Sequence, residues 1–293
     1  MLKKNTIIVT GGAGFVGSNL IDFLLKKTKY KIISIDNYSS GYRKNHIKNH
    51  RVKYLNANTR DINKVIKDAT KIKTVFHFGE FARIYQSFLN MNECIDSNTI
   101  GTNSVFNFCL KYNIKLIYSA TSASLGNKGQ DKNLSPYSFT KAKNLELLEN
   151  LKKWFNFKFE VIYFYNVYGP KQISKGKMST VIGIFENAYR NKKPLPVVRP
   201  GSQSRRFTHI DDTVRVCYIA WKKNLSRHYS ISSKQSHTII EVAKMFKSKI
   251  RYLNKRPGER YASALTKMNL SNKVYRYFGK IKLTDYISNF LKN

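Results

Sequence analysis

The feature that most constrains the fold is a glycine-rich turn close to the start of the chain. The first apolar run, Thr6–Thr10, leads directly into this turn, and an amphipathic helical pattern follows it over residues 16–27. Glycine recurs at every third position of the turn, as Gly11, Gly14 and Gly17. Glycines allow the backbone to approach a phosphate group, and the N-terminus of the following helix offers free N–H groups and the positive end of its dipole. The turn therefore predicts a phosphate-binding site at the carboxyl end of a buried strand.

An acidic residue completes this pattern. Asp36 ends the second strand-like run, residues 31–36, about 20 residues after the turn, which is where dinucleotide-binding proteins place the carboxylate that binds the ribose hydroxyls. Such a carboxylate repels a 2′-phosphate, so the sequence favours NAD over NADP, although Arg43 and Lys44 nearby weaken this preference. We therefore expect NAD to be the cofactor.

Strand-like and helical patterns alternate through the first half of the chain. After the first two strands come strand-like runs at 74–78, 115–119 and 159–164, and helical patterns at 61–67, 95–112 and 137–154. This alternation predicts an α/β fold, a Rossmann-like doubly wound parallel sheet with helices on both faces.

After residue 170 the alternation becomes less regular. Helical patterns occur at 180–190, 211–221 and 238–247, with a short strand near 206–210. We assign residues 1–166 to an NAD-binding Rossmann domain. Residues 167–293 are assigned to a smaller C-terminal substrate-binding region, with segments that return to the first domain.

The charge of the chain is unusual, with 53 Lys and Arg residues against 17 Asp and Glu residues and a formal net charge of +36. Such a surface binds polyanions non-specifically and steers anionic substrates. The basic residues are spread along the whole chain, and the sequence contains no zinc finger, RNP-type strand or basic heptad region. We therefore expect no dedicated nucleic-acid partner.

The remaining composition bears on location and metal content. No apolar run reaches the roughly 20 residues that span a bilayer, so we expect a cytoplasmic protein with no membrane partner. Cys94, Cys109 and Cys217 are far apart in the sequence, which predicts reduced thiols. No spacing of His, Cys and carboxylate residues predicts a metal site.

Several later segments accompany the glycine turn, whose spacing is shorter than in the standard dinucleotide fingerprint. They are residues 36–41, the run His77-Phe78-Gly79-Glu80, and Asn98 followed by Gly101 and Thr102. Over about residues 5–285 the chain resembles the extended short-chain dehydrogenase/reductase family, and within it the NAD-dependent epimerase/dehydratase branch. The resemblance implies that NAD is bound by Gly11, Gly14, Phe15, Val16, Gly17, Asp36, Asn37, Asn58, Thr59, Phe78, Gly79, Asn98, Tyr137 and Lys141.

Three positions depart from the family pattern. Asn58 stands where the family has an aspartate that contacts adenine, and Glu80 replaces a small neutral residue close to the expected active site. Nucleotide-sugar epimerases often carry a cofactor-contacting lysine where this chain has Ala82, with Arg83 beside it. We expect Glu80 and Arg83 to contribute to substrate binding. Arg83 could instead replace the lysine as a cofactor contact, and a further alternative is that both side chains point to solvent.

The catalytic residues are predicted from a Tyr-x-x-x-Lys pair, Tyr137 and Lys141. Residues four apart share one face of a helix, and a lysine ammonium beside a phenol favours the phenolate, which allows the tyrosine to act as a base near neutral pH. In the family, the preceding strand ends with a hydroxyl residue that hydrogen-bonds the reacting hydroxyl. The matching residue is Thr121, with Ser122 or Ser124 as alternatives.

Substrate-binding residues are implied by three segments of the second half. Asn166 lies in a run similar to the family's Tyr-Phe-Asn-Val-Tyr-Gly-Pro segment, although Tyr163 stands where the family has an arginine. The resemblance places Arg205 and Arg256 on the substrate diphosphate, a role that suits guanidinium groups. We interpret His209 as a structural residue rather than a base or a ligand.

The resemblance implies an NAD-dependent nucleotide-sugar epimerase, which interconverts a UDP-hexose at C4 through a transient 4-keto intermediate. Ser122 and Ala123 stand where family dehydratases carry Asp and Glu, which argues against dehydration. The alternatives are another nucleotide-sugar modification, namely UDP-uronate epimerisation or decarboxylation, dehydration or reduction. A further alternative is a non-catalytic member that binds RNA or protein.

The resemblance also implies a homodimer. The helices predicted at 95–112 and 137–154 are expected to pair with their copies in the second subunit. Leu145, Leu148 and Leu151 are interface or core residues by their spacing, and we favour the core.

Overall fold

The computed structural model describes residues 4–122, 132–258 and 274–292. Its strands are β1 (Thr6–Thr10), β2 (Lys31–Asp36), β3 (Val52–Asn56), β4 (Ile72–His77), β5 (Lys115–Thr121), β6 (Phe159–Phe164), β7 (Val167–Tyr168), β8 (Leu195–Val198), β9 (Ser204–Arg205), β10 (Thr208–His209), β11 (His228–Ser232), β12 (His237–Thr238), β13 (Ile250–Leu253) and β14 (Val274–Phe278). Its α-helices are α1 (Phe15–Lys27), α2 (Ile62–Val65), α3 (Ile84–Leu89), α4 (Met91–Ile95), α5 (Thr102–Lys111), α6 (Pro136–Phe155), α7 (Val181–Arg190), α8 (Ile210–Lys223), α9 (Ile239–Met245) and α10 (Leu283–Lys292).

One eight-stranded sheet forms the centre, with the strand order β14-β11-β6-β5-β4-β1-β2-β3. All neighbouring strands run parallel. Helices α1 and α8 pack on one face through an apolar cluster that includes Leu24 and Val214, and α5 and α6 pack on the other face through Phe106 and Leu148. The sheet is therefore doubly wound, and the predicted fold class is confirmed.

The order of the strands places a crevice at the centre of the sheet. Strand β1 lies between β2 and β4, so the chain winds outward in opposite directions from β1. In doubly wound sheets a ligand binds outside the carboxyl ends of the strands at this switch point. The glycine turn after β1 lies at this position.

The second half of the chain contributes to the same sheet and also builds a separate layer. Strands β11 and β14 extend the sheet beyond β6, whereas α7, α9 and α10 enclose a smaller core around Phe185 and Phe246. Three two-stranded pairings, β7 with β10, β9 with β12 and β8 with β13, complete this region. The boundary at residue 166 stays a prediction. Within the described part of the chain, no helix combines the length and the apolar character that crossing a bilayer requires.

Several elements differ from the predictions. The helix predicted at 95–112 begins earlier, at α4, and a π-helical segment (Asp96–Gly101) separates α4 from α5. The helix predicted at 61–67 is reduced to one turn, α2. Strands β3, β11 and β14 were not predicted, because β11 buries serines and the two edge strands carry charged residues that interrupt the apolar pattern.

Individual residues fall where the patterns indicate. Leu148 and Leu151 are buried in the core, and Leu145 packs against it. His209 is buried, and its Nδ1 accepts a hydrogen bond from the Asp211 N–H at the start of α8, at 3.2 Å. These positions support the structural interpretation of all four side chains.

Candidate functional site

The glycine turn after β1 is shaped by close backbone contacts. Gly11 has φ +68°, and a Cβ there would lie 2.8 Å from the Phe78 carbonyl oxygen. A Cβ on Gly17 would lie 2.1 Å from the carbonyl oxygen of Gly11, so the start of α1 packs directly on the turn. Gly14, by contrast, would meet only the Gly11 carbonyl oxygen, at 3.1 Å. The first and third glycines therefore hold the turn together, and the middle one leaves open space at the N-terminus of α1.

Asp36 closes one end of the same cleft. Its carboxylate accepts hydrogen bonds from the N–H groups of Ala13, at 2.9 Å, and Tyr38, at 2.8 Å. Burial raises the pKa of Asp36, and the backbone donors partly oppose this shift. Asp36 lines the cleft together with the glycine turn, and an ionised carboxylate has about four acceptor sites, so it can also accept from a ribose hydroxyl.

The floor of the cleft is formed by the residues that follow β3 and β4. Asn37 Nδ2 donates to Asn58 Oδ1 at 2.8 Å, which fixes the orientation of the Asn58 amide. Phe78 and Gly79 donate their N–H groups to the Thr10 hydroxyl, at 3.1 and 3.0 Å. A Cβ on Gly79 would lie 2.9 Å from the Gly11 nitrogen, so the two turns pack backbone to backbone.

This cleft fits a dinucleotide such as NAD. The predicted cofactor residues that line it are Gly11, Gly14, Phe15, Val16, Gly17, Asp36, Asn37, Asn58, Thr59, Phe78, Gly79, Tyr137 and Lys141. The open space at Gly14 and the N-terminus of α1 suit a pyrophosphate, and the Asp36 carboxylate suits a ribose.

Asn98, which was predicted to contact the cofactor, does not line the cleft but hydrogen-bonds the segments behind it. Its side chain is fully buried, where Oδ1 accepts from the Phe81 N–H at 2.7 Å and Nδ2 donates to the Phe81 carbonyl at 3.1 Å and to Thr140 at 3.2 Å. These bonds connect the π-helical segment to α6 and to the loop after β4. Asn98 therefore supports the cleft from behind.

The start of α6 is fixed by a helix cap. The Ser135 hydroxyl accepts from the Ser138 N–H at 3.1 Å, and Pro136 occupies the first turn of the helix, where no N–H is needed. Tyr137 and Lys141 follow on this helix one turn apart, and both line the cleft, as does Thr121 at the end of β5. The three predicted catalytic residues thus meet in the cleft that contains the glycine turn.

Lys141 is engaged by groups of the protein interior. Its ammonium group contacts the Glu80 carboxylate and the Ser119 carbonyl, and it lies 3.3 Å from the Tyr118 hydroxyl. Only 4% of the Lys141 side chain is exposed. Burial lowers the pKa of Lys141, while the negative charge of Glu80 acts in the opposite direction.

Glu80 lines the cleft beside Lys141. Its side chain is 2% exposed, so it does not point to solvent, and its contribution to substrate binding stays a prediction. Besides Lys141, the Glu80 carboxylate accepts hydrogen bonds from Tyr118 at 3.0 Å, Thr102 at 3.1 Å and Asn144 at 3.4 Å. These three hydrogen bonds go to Oε1, and Lys141 contacts Oε2.

Arg83 is anchored to backbone carbonyls beside the cleft, and its contribution to substrate binding stays a prediction. Its guanidinium group donates to the backbone carbonyls of Ala82 at 2.7 Å, Met178 at 2.6 Å and Ser179 at 3.1 Å. It lines the cleft and joins the loop before α7 to the start of α3. These carbonyls use three of its five N–H groups, so Arg83 forms part of the cleft wall and does not extend into solvent.

The predicted diphosphate ligands lie outside the cofactor cleft. Asn166 is exposed with φ +35° and donates to the Arg206 carbonyl at 3.1 Å. Arg205 lies on β9 and donates to the Ser204 carbonyl at 2.9 Å, and the Arg256 guanidinium lies 4.9 Å from the centre of the Tyr85 ring on α3. Their common contact with a diphosphate stays a prediction.

Other parts of the site were not predicted. Cleft-lining residues to which the sequence assigned no individual role include Ser39, Ser40, Arg60, Phe81, Glu93, Asp96, Ser97, Phe164, Ile173 and Met178. Arg60 and Asp96 form an ion pair at 2.7 Å, which a sequence separation of 36 residues conceals. Ala123 and Ser124 lie outside the described residues.

Metal and thiol chemistry have little support in this part of the chain. Across residues 4–122, 132–258 and 274–292, no group of three or more His, Cys, Asp or Glu side chains could hold a metal ion. Cys94, Cys109 and Cys217 are free and buried, and burial raises the pKa of Cys94 to about 11. They are unreactive thiols at neutral pH.

The site and the fold define a nucleotide-binding enzyme of the Rossmann type, and comparison with known proteins identifies the family. Residues 7–232 match the model of the NAD dependent epimerase/dehydratase family, so the chain belongs to that family. The resemblance inferred from the sequence is confirmed, as is NAD as the cofactor on which this family depends.

Individual relatives include more than one activity. The chain is 27% identical over 271 residues to a putative UDP-glucose 4-epimerase of Methanocaldococcus jannaschii, covering 87% of this chain and 88% of that protein. It is similar in fold to a UDP-glucose 4-epimerase of Thermotoga maritima solved with UDP-glucose, with a TM-score of 0.84, 23% identity and coverage of 98% and 97%. A dTDP-glucose 4,6-dehydratase of Streptomyces venezuelae, solved with NAD, gives a TM-score of 0.85 at 18% identity, with coverage of 98% and 96%. The fold alone therefore does not distinguish epimerisation from dehydration.

Proposed function

We propose that this protein is an NAD-dependent nucleotide-sugar epimerase that acts at C4 of a UDP-hexose through a transient 4-keto intermediate. The observation that carries the proposal is the meeting of Thr121, Tyr137 and Lys141 in the cleft that contains the glycine turn and Asp36. A base, a hydroxyl and a cofactor site are the elements that reversible oxidation of a secondary alcohol requires.

The chemistry follows from the placement of these side chains. Tyr137 takes the proton of the sugar 4-hydroxyl, and Thr121 donates a hydrogen bond to the oxygen as negative charge develops on it. Lys141 stabilises the phenolate of Tyr137 by its positive charge. NAD, when bound, supplies reversible two-electron redox chemistry at the sugar carbon. Tyr137 returns the proton after the 4-keto sugar has turned over in the cleft.

The acidic residues of the cleft argue against dehydration. Loss of the C6 hydroxyl needs an acid and a base beside the tyrosine, and the sequence has Ser122 and Ala123 at the positions where dehydratases carry them. Of the carboxylates that line the cleft, Asp36 lies at the ribose end, Glu80 is paired with Lys141 and Asp96 is paired with Arg60. The fourth, Glu93, lies on the exposed side of α4.

Asn166, Arg205 and Arg256 are proposed to hold the substrate diphosphate. Arg256 lies against Tyr85 on α3, the helix that begins beside the cleft-lining Arg83, so it borders the cleft entrance. The high positive charge of the chain assists the approach of a dianionic substrate.

We also propose a homodimer that pairs the region of α3 to α6 with its copy. This region exposes large apolar side chains, namely Phe88, Leu89, Met91, Ile95, Ile100, Phe139, Trp154 and Phe155. Exposed apolar side chains concentrated on one region mark an interaction surface. Light scattering at micromolar concentration tests this proposal, and a strictly monomeric mass would refute it.

The decisive experiment is incubation of the purified protein with a panel of UDP-hexoses and UDP-uronates in deuterated water, followed by NMR. A 4-epimerase yields the C4 epimer, needs no added reductant and leaves C5 unlabelled. Deuterium at C5 would indicate dehydration or 3,5-epimerisation and would refute the proposal. Turnover that depends on stoichiometric NADH would indicate a reductase instead.

A further inference from the structure

The environment of Lys141 contains a second charged group that the proposed mechanism does not use. Glu80 and Lys141 form an ion pair between the loop after β4 and helix α6, with 2% and 4% of their side chains exposed. Both oxygens of Glu80 are occupied, because Oε2 contacts Lys141 and Oε1 accepts from Tyr118, Thr102 and Asn144. An ion pair removed from water to this extent needs further hydrogen bonds to offset the loss of hydration, and Oε1 of Glu80 receives three.

The hydrogen bonds behind Glu80 have one defined direction. Because an ionised carboxylate can only accept, the Thr102 hydroxyl donates to Glu80, and Thr102 Oγ1 must accept from His77 Nε2–H at 2.9 Å. The other nitrogen, Nδ1, then accepts from the Thr10 hydroxyl at 2.7 Å. The Thr10 oxygen in turn accepts the N–H groups of Phe78 and Gly79. A chain of hydrogen bonds therefore runs from the edge of the glycine turn to Glu80 and points toward the carboxylate throughout.

We propose that Glu80 is a positioning residue for the reaction, which holds Lys141 in place and balances its charge, so that Tyr137 becomes a phenolate at higher pH than beside an unpaired lysine. The inference rests on the proposed role of Tyr137 as the base. The sequence position matters here, because Glu80 stands where the resembled family has a small neutral residue.

The charges around the Tyr137 phenol set the sign of the effect. Arg83 interacts with the phenol through its charge, and Lys141 lines the same cleft one helical turn further along α6, with Glu80 as its paired anion. The other titratable groups packed here are Tyr118 on β5, Cys94 on α4 and His77, all of which are neutral at neutral pH. Removing the charge of Glu80 leaves the ammonium of Lys141 unbalanced, and an unbalanced cation favours the phenolate.

Substitution of Glu80 separates this role from a merely structural one. Glu80→Gln keeps two hydrogen-bonding atoms but loses the charge, and Glu80→Asp keeps the charge with a shorter side chain. We expect the titration midpoint of Tyr137 to fall by about one pH unit in Glu80→Gln and to stay near the wild-type value in Glu80→Asp. The activity of each protein is expressed as a fraction of its own maximum over the pH range. At pH values below the Tyr137 midpoint, this fraction should be up to about tenfold higher in Glu80→Gln than in the wild type.

The titration is measured directly by NMR of protein labelled with ¹³C at tyrosine Cζ, with the Tyr137 resonance assigned by its absence in Tyr137→Phe. Glu186→Gln serves as the matched control, since Glu186 is a buried carboxylate bonded to Tyr286 at 2.7 Å in the smaller core. A Tyr137 midpoint that is unchanged or raised in Glu80→Gln would overturn the proposal. This readout does not depend on turnover, so an inactive wild-type protein would refute the proposed function without deciding the role of Glu80. If Glu80→Gln does not fold, Glu80→Asp is compared with Glu80→Ala. A Tyr137 titration midpoint that falls by the same amount in both variants would also refute the proposal, because Glu80→Asp keeps the charge.

Discussion

His77 makes the stability of this protein sensitive to acid. The ring is fully buried, and both of its nitrogens are hydrogen-bonded, to Thr10 at 2.7 Å and to Thr102 at 2.9 Å. Burial lowers the pKa of His77 from the ordinary 6.5 to about 4, which the positive charge of Lys141 reinforces and Glu80 opposes. The neutral ring is therefore a condition of the folded state.

The direction and size of the effect follow from proton linkage. Between pH 6.5 and pH 4 the unfolded chain binds a proton at His77 that the folded chain does not, so the free energy of unfolding falls as the pH falls. At pH 7 the protonation of His77 has a negligible effect on the free energy of unfolding. Between pH 7 and pH 5, a pKa difference of this size lowers the free energy of unfolding by about 2 kcal/mol. The loss approaches about 3 kcal/mol below pH 4.

Urea denaturation at pH 7 and pH 5 measures this loss, with the fluorescence of the buried Trp221 as the probe. His77→Gln removes the titration while an amide can still accept from Thr10 and donate to Thr102. We expect this variant to be less stable than the wild type at pH 7 but to lose about 2 kcal/mol less between pH 7 and pH 5. Burial also lowers the pKa of His46 and His209, and their contributions cancel in the comparison because both proteins retain them. Equal losses in the two proteins would refute the reasoning.

Three further predictions concern the site. Tyr137→Phe should reduce turnover by at least about 100-fold while NAD binding by calorimetry is retained, and near-normal turnover would exclude Tyr137 as the base. Asp36→Ala should reduce the ratio of NAD affinity to NADP affinity in cofactor titrations. It should also lower the melting temperature, because the N–H donors of Ala13 and Tyr38 lose their acceptor. An unchanged affinity ratio would place the ribose elsewhere. Arg205→Ala and Arg256→Ala should each weaken UDP binding by roughly 1.5–3 kcal/mol in calorimetry, whereas Arg251→Ala on the exposed face of β13 should have no effect.

The cofactor end of the site was predictable from sequence because its chemistry is local. A strand, a glycine turn and a helix are adjacent in the chain, and Asp36 ends the neighbouring strand, so spacing alone brings them together. The pair of Tyr137 and Lys141 was predictable for the same reason, since one helix turn fixes their separation. The final two strands of the sheet were less visible, because β11 alternates buried serines with apolar residues.

The partners of Glu80 and Arg83, two residues that depart from the family pattern, were not predictable from the sequence. Glu80 and Lys141 are 61 positions apart, and Arg83 reaches carbonyls 95 and 96 positions away. Nothing local distinguishes a carboxylate that will be buried beside a lysine from one that will face solvent. The contact depends on the packing of α6 against the π-helical segment and the loop after β4, which only the folded chain defines.

The order of strands in the sheet has a consequence for biosynthesis. Strand β6 has β5 on one side, but its other neighbour, β11, is translated more than sixty residues later, and β14 completes the sheet close to the C-terminus. During synthesis the nascent chain therefore presents an unpaired β6 edge, with apolar residues such as Val161 and Ile162, until β11 has been made. Exposed strand edges recruit other strands. Fragments that end before β11 should thus aggregate. Chaperones would need to protect the β6 edge until β11 is available to pair with it.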